Sequence, residues 1–295
     1  MQNEKRTGPG GSRILASGSN NSPLHPRQTH GDGGRSYTTP LTENSCRRSE
    51  SHPAGPVYPG LPTSRTPRLP PDRSARWALL LLLPAPTLGV WMALFVSPGP
   101  LGQAVFTVSK VWILLLPALW VRYVDRASWR LPRIPKEGLH FGLVSGLLIA
   151  AFVVAAYAIV GRHWIDIEQA REVADEAGLG RLPAYIAAAL YFCFINALLE
   201  EYVWRWFVYG KCAILMRPLW AVPAAGLCFT IHHIVALMAY FDWRVTLFGS
   251  LGVWIGGMTW SWCLLRYRSI WPGYISHIFA DLAVFGIGLV LLFIL

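Results

Sequence analysis

From Trp77 onward the chain is a succession of long apolar segments separated by short polar ones. The segments are Trp77–Val96, Gln103–Val121, Leu139–Val160, Pro183–Tyr209, Pro218–Tyr240, Val245–Leu265 and Ile270–Leu295, and Val245–Leu265 is the cleanest of them. A helix of about 20 apolar residues covers the ~30 Å hydrocarbon layer of a bilayer. That layer offers no water to backbone N–H and C=O groups, so each segment must satisfy its own backbone as a helix. The pattern predicts an all-α, polytopic transmembrane bundle of about seven spans. Composition agrees: 14% of residues are charged, against about 25% in soluble domains.

Residues 1–76 differ in kind. They are rich in Gly, Pro, Ser and Arg, with 11 basic and 5 acidic residues against 15 and 11 in the remainder. Such a composition buries too little apolar surface to offset its ordering entropy. The expected organisation is therefore a disordered basic tail over 1–76 and a transmembrane helical domain over 77–295. The charge reads as a solvated tail plus topology signals, with no nucleic-acid partner. Cys46, Cys193, Cys212, Cys228 and Cys263 show no CxxC spacing, so neither a zinc knuckle nor a redox pair is indicated.

Loop charge gives an orientation. Arg122, Arg126, Arg130, Arg133 and Lys136 follow the second span, Lys211 and Arg217 the fourth, and Arg266 and Arg268 the sixth. With seven spans these lie on the same side as the basic tail. The opposite loops hold the mixed stretch Asp166–Glu176 and Asp242–Arg244. The positive-inside rule then puts the N-terminus in the cytoplasm. Trp77, Trp164, Trp220 and Trp271 flank spans as interfacial anchors do. Lys110 lies within the second span, about 10 Å from its outer end by helical rise, and snorkelling accounts for it.

Three polar motifs interrupt the lipid-like pattern. They are Glu200-Glu201-Tyr202-Val203-Trp204-Arg205, Phe229-Thr230-Ile231-His232-His233, and His277-Ile278-Phe279-Ala280-Asp281. A charge at the centre of a membrane helix costs about 2.5–3.5 kcal/mol on insertion scales, so such residues imply a site between helices. Glu201 and Arg205 are four apart, share a face and can pair. Glu200 is turned about 100° away and stays free for chemistry, with Asn196 one turn earlier placed to bond it. Phe229 sits one turn from His233 and can fix its rotamer, while His232 points elsewhere and reads as structural. His277 and Asp281, also four apart, can act on one atom. A Glu, a His and a His–Asp pair on three spans can converge on one water, with carboxylate as general base and histidines as proton donors or oxyanion ligands. Two His plus carboxylates also suit a divalent metal such as zinc. HExxH is absent, so no zincin is implied.

Glu-Glu-xxx-Arg, Phe-xxx-His and His-xxx-Asn/Asp, in this order on successive membrane helices, resemble the CAAX protease and bacteriocin-processing family over about residues 180–285. The resemblance implies an intramembrane endopeptidase. By motif match, Glu200 corresponds to the base that activates water, helped by His233. Glu201 and Arg205 correspond to a supporting pair, and His277 and Asp281 to the oxyanion-stabilising positions. Metal-free hydrolysis is favoured; a metal-dependent version would use Glu200, His233, His277 and Asp281. Asp281 stands where many members have Asn, and an ionised Asp cannot donate to an oxyanion. It must then be protonated, orient His277 or bind metal. The implied substrate is a membrane or lipid-anchored protein cut near its C-terminus, and the implied location is a bacterial cell membrane rather than the endoplasmic reticulum. Intramembrane Glu/His chains also serve transporters and proton relays, and a catalytically inactive membrane protein that binds a partner is a further alternative.

Overall fold

The computed structural model describes residues 68–127 and 134–295. The chain divides into two units, Met1–Glu50 and Ser51–Leu295, and every described residue lies in the second. Nearly all of the expected tail, with Arg130 and Arg133, falls outside the described residues. Eight helices are defined among the described residues, and no strand: α1 (Pro71–Val96), α2 (Pro100–Val124), α3 (Lys136–His163), α4 (Ile167–Glu176), α5 (Leu182–Leu215), α6 (Pro218–Tyr240), α7 (Trp243–Tyr267) and α8 (Trp271–Phe293).

Their boundaries follow local chemistry. Pro71 opens α1 with Asp72 in its first turn, where a missing N–H costs nothing and a negative charge meets the positive helix end. This places the start of the helix ahead of Trp77. Gly99, at φ 150°, makes the reversal into α2, a backbone conformation open to glycine. Asp166 and Asp242 cap α4 and α7, each accepting two backbone N–H groups through its carboxylate.

The helices alternate in direction. Trp112 of α2 donates to the Leu81 carbonyl of α1, and Trp120 to the Ser74 hydroxyl, which sets α1 and α2 antiparallel. Only Phe241 and Asp242 separate α6 from α7, and Trp254 of α7 reaches back to the Pro223 carbonyl at 3.1 Å. Helix α3 runs parallel to α8, with Ser145 bonded to Ser276 at 3.1 Å. The face α3 turns inward carries only Gly138, Gly142, Ser145 and Gly146, and a Cβ at Gly142 would collide with the Pro272 carbonyl. Small residues of this kind let membrane helices pack backbone to backbone. The large side chains point outward instead: Phe152 is 66% exposed and Val108 68%. So much outward apolar surface is at home only against lipid.

Six helices are long and apolar enough to cross a bilayer: α1, α2, α3, α5, α6 and α8. The expected seventh, over Val245–Leu265, forms a helix of 25 residues but falls short of the apolarity of the other six. The run is free of charge, yet its inward face is built from small and polar residues, with Thr246, Ser250, Gly256, Gly257 and Ser261 buried. These pack α7 closely between α6 and α8, where Gly226 and Gly257 meet.

Lys211 departs from its reading as a loop charge. It is wholly buried near the end of α5, and its ammonium lies 2.6 Å from Asp125 Oδ2. Ser74 donates to the other carboxylate oxygen at 2.6 Å. The pair ties α1, α2 and α5 together. It compensates its own desolvation by excellent geometry, so removing one partner alone costs about 3–5 kcal/mol.

Candidate active site

Helix α5 is wound wide over Tyr191–Asn196 and again over Glu201–Tyr209. Such π-helical turns shift side-chain register and recur at functional sites. Glu200 sits at the junction where the second begins.

Below this junction lies a sealed layer. Glu201 and Arg205 are 0% and 1% exposed, and Arg205 Nε approaches Glu201 Oε1 to 3.3 Å. The contact is not aligned as a hydrogen bond, so charge rather than direction holds the pair. The guanidinium lies 4.3 Å from the Phe229 ring centroid and 4.6 Å from that of Trp260, where the aromatic quadrupoles replace part of its lost hydration. Gly273 of α8 faces Glu201; a Cβ there would sit 2.7 Å from Oε2.

His277 is fixed from three directions. Its Nδ1 is 3.1 Å from Glu201 Oε1, and a carboxylate oxygen accepts, so Nδ1 carries the proton. Trp260 stacks on the imidazole, with centroids 3.8 Å apart and planes 16° apart. The indole is itself anchored, donating to Ser276 Oγ at 3.1 Å. Nε2 then faces Glu200 Oε2 at 3.6 Å and Asp281 Oδ1 at 3.7 Å. Contacts of this length invite a water or substrate atom that reaches all three.

His233 approaches Glu200 from α6. Its Nδ1 bonds the Phe229 carbonyl at 2.9 Å. A carbonyl only accepts, so this nitrogen donates and the Nε2 lone pair is left for the site. Phe229 also packs on His233 at 4.5 Å. Asn196 hydrogen-bonds the Glu200 carboxylate. Glu200, His233 and Asp281 are only partly buried, so this upper layer is the accessible part of the cluster.

The structure therefore brings all six residues singled out in the sequence, Glu200, Glu201, Arg205, His233, His277 and Asp281, into one continuous polar cluster from α5, α6 and α8. His232 does not point elsewhere. It stacks on Trp204 at 5.0 Å, its ring lies 4.1 Å from that of His233, and one ligand atom each from Glu200, His232 and His233 fall within 4.8 Å of one another. Neighbouring helical residues diverge by 100°, but the outward swing of two imidazoles closes that gap. Trp260 gave no signal, since a tryptophan in a long apolar run reads as packing or as an anchor. Lys110 is not snorkelling outward: its ammonium lies 3.5 Å from Asn196 Oδ1.

The donor set also fits a divalent cation. Two neutral imidazole nitrogens and a carboxylate oxygen are the three-ligand pattern of catalytic zinc, which keeps a fourth position for water or substrate. His232 Nδ1 is buried without a hydrogen-bond partner among the described residues, as a nitrogen reserved for a ligand would be.

Fold and site together define an all-helical membrane protein with a carboxylate–histidine cluster enclosed among its last four helices. Residues 182–283 match the family described as type II CAAX prenyl endopeptidase, Rce1-like. The match runs from α5 into the first half of α8 and contains all six residues; α1, α2 and Lys110 lie outside it. No match was found among curated proteins or among solved structures.

Proposed function

We propose that the protein is an intramembrane endopeptidase that cuts a membrane or lipid-anchored protein near its C-terminus. The observation that carries this reading is the meeting of Glu200 with imidazoles from two other helices, supported by the family match over the same segment. Glu200 takes a proton from water held between its carboxylate and His233 Nε2. The hydroxide adds to the scissile carbonyl carbon, and its oxygen becomes an oxyanion. Asp281, in its protonated form, donates its O–H to that oxyanion, and His277, held through Nδ1–H by Glu201, lines the same position with Nε2. Collapse of the intermediate breaks the C–N bond, and the proton on Glu200 passes to the leaving amine. Arg205 and Glu201 are positioning residues that act through His277.

The catalytic core is proposed to span residues 180–285 within a bundle of seven crossings. Helix α7 crosses with its neighbours, because short turns join it antiparallel to α6 and α8. The proposed orientation has the N-terminus in the cytoplasm, a reading supported by Arg122, Arg126, Arg266 and Arg268 at the same ends of the alternating helices. A bacterial cell membrane is the proposed location.

A test is hydrolysis of a fluorogenic prenylated peptide by purified full-length protein. Glu200→Gln keeps shape and hydrogen bonding but removes the base. The expected loss is about 10²–10⁴-fold in kcat; an unchanged rate rejects the mechanism. A second reading, metal-assisted hydrolysis, is favoured by the 4.8 Å grouping of Glu200, His232 and His233. These three residues would hold the ion, which would supply an activated water and polarise the carbonyl. Dialysis against a chelator separates the two: activity survives in the metal-free mechanism and returns only with added zinc in the other.

A further inference from the structure

Ser145 stands on α3, outside the family-matched segment, where α3 packs on α8. Two glycines make room for the contact. A Cβ at Gly142 would collide with the Pro272 carbonyl, and one at Gly146 would sit 2.9 Å from Ser276 Cα. The backbones therefore approach until Ser145 Oγ and Ser276 Oγ are 3.1 Å apart. Trp260 Nε1 lies 3.1 Å from the same Ser276 oxygen, and the Gly142 carbonyl lies 3.2 Å from Ser145 Oγ. All three side chains are buried, so their polar atoms must be satisfied by one another or by nearby backbone. Counting protons sets the direction. An indole N–H only donates, a carbonyl only accepts, and each hydroxyl carries one proton. Ser276 receives from Trp260, and the acceptor in reach of its own proton, among the described residues, is Ser145 Oγ. Ser145 in turn donates to Gly142. The four groups form one directional row, Trp260 to Ser276 to Ser145 to Gly142, in which each bond strengthens the next.

The indole held by this row is the plate on which His277 stacks, with centroids 3.8 Å apart. A single bond from Nδ1 to Glu201 leaves the imidazole free to turn about it; the stack removes that freedom. The ring plane in turn sets where Nε2 stands against Glu200 and Asp281, at 3.6 and 3.7 Å. We infer that Ser145 is a positioning residue for the reaction, acting on His277 through Ser276 and Trp260. The inference rests on the endopeptidase reading above and extends its apparatus to a helix that the family match does not include. Without the Ser145 hydroxyl the Ser276 proton loses its acceptor. The Ser276 oxygen is then a poorer acceptor for the indole, and the plate can tilt. Reacting groups must be held to within about 0.5 Å and 10–20°, so a small tilt is felt at Nε2 while the surfaces that bind substrate are untouched.

The experiment uses full-length protein in nanodiscs and the fluorogenic prenylated peptide. Ser145→Ala keeps the Cβ and removes one hydroxyl. Its kcat is expected to fall about 5- to 20-fold with KM within about twofold, less than the roughly 10²-fold that a 1 Å misplacement costs. Ser276→Ala breaks the row one link nearer the indole and is expected to lose at least as much. Ser145→Cys, with a weak donor and acceptor, recovers part of the rate. Unchanged kcat in Ser145→Ala with an active wild type, a loss confined to KM, or a loss at Ser145 with none at Ser276 overturns the inference. A second readout does not need turnover. The Trp260 indole N–H and the His277 Nδ1–H are followed by nitrogen-edited NMR, assigned by their disappearance in Trp260→Phe and His277→Gln. Both resonances are expected to move in Ser145→Ala and to return toward wild type in Ser145→Cys. An unmoved His277 resonance overturns the inference whatever the activity. Movement of both in a protein whose wild type cleaves no peptide sustains the positioning of His277 and rejects the endopeptidase reading.

Discussion

At the residue scale, the geometry of His277 explains why a carboxylate and an aromatic ring must accompany it. A free imidazole on α8 would sample several rotamers and either tautomer. The Glu201 contact fixes the proton on Nδ1 and the Trp260 stack fixes the plane. Glu201→Gln retains a group that can accept from Nδ1–H but removes the negative charge that polarises the ring through it. The expected result is a loss of about 10–100-fold in kcat with little change in KM, since the interaction matters as the oxyanion forms. Steady-state kinetics on the prenylated peptide checks it, and a pure KM effect contradicts it. Trp260→Phe keeps a ring for the stack but loses the bond to Ser276, and is expected to retain more activity than Trp260→Ala. The alanine variant also leaves a cavity and lowers stability by about 3–5 kcal/mol, measurable by unfolding in detergent. Glu200, Glu201 and Arg205 were legible in the sequence because their relations are local: spacings of one and four decide which face each takes. Trp260 was not, because its partner His277 belongs to another helix.

At the element scale, two devices hold α5 in place. Its widened turns set Glu200 and Glu201 in different layers of the site, and the Lys211–Asp125 pair clamps its far end to the first hairpin. The clamp was invisible from the sequence. Lys211 follows a long apolar run and reads as a loop charge, whereas its partner is 86 residues away. Asp125→Asn or Lys211→Met alone is expected to cost about 3–5 kcal/mol, while the paired apolar replacement Asp125→Leu/Lys211→Met recovers most of it. Thermal unfolding of the three variants decides; additive losses contradict the clamp. The α3–α8 contact depends on absent side chains. Gly142→Val places branched carbon against the Pro272 backbone and is expected to separate the helices. Loss of folded yield, with loss of activity in what remains, is the outcome to look for.

At the scale of the whole molecule, the last four helices carry the cluster and the first three contribute packing and, through Lys110, a charge. Helix existence was legible because hydrocarbon thickness sets a minimum length that few other structures demand. The apolarity of α7 was overestimated because absence of charge was taken for apolarity; interior helices need small residues to fit, not greasy ones to face lipid. The proposed topology sets Asp242 outside the cell and Arg268 on the cytoplasmic side. Single-cysteine variants at positions near Asp242 are expected to react with a membrane-impermeant thiol reagent added outside the cell, and variants near Arg268 to react only after lysis. The reverse pattern inverts the topology.

The proposed mechanism depends on Glu200 and His233 acting on the same water. The most direct measurement is a double-mutant cycle on kcat with Glu200→Gln, His233→Ala and the pair, each confirmed folded. Residues that work as one unit are strongly non-additive, so the double variant is predicted to be scarcely slower than Glu200→Gln alone. Losses that multiply, with the double variant slower by the product of the single effects, would show two independent contributions and contradict a shared water.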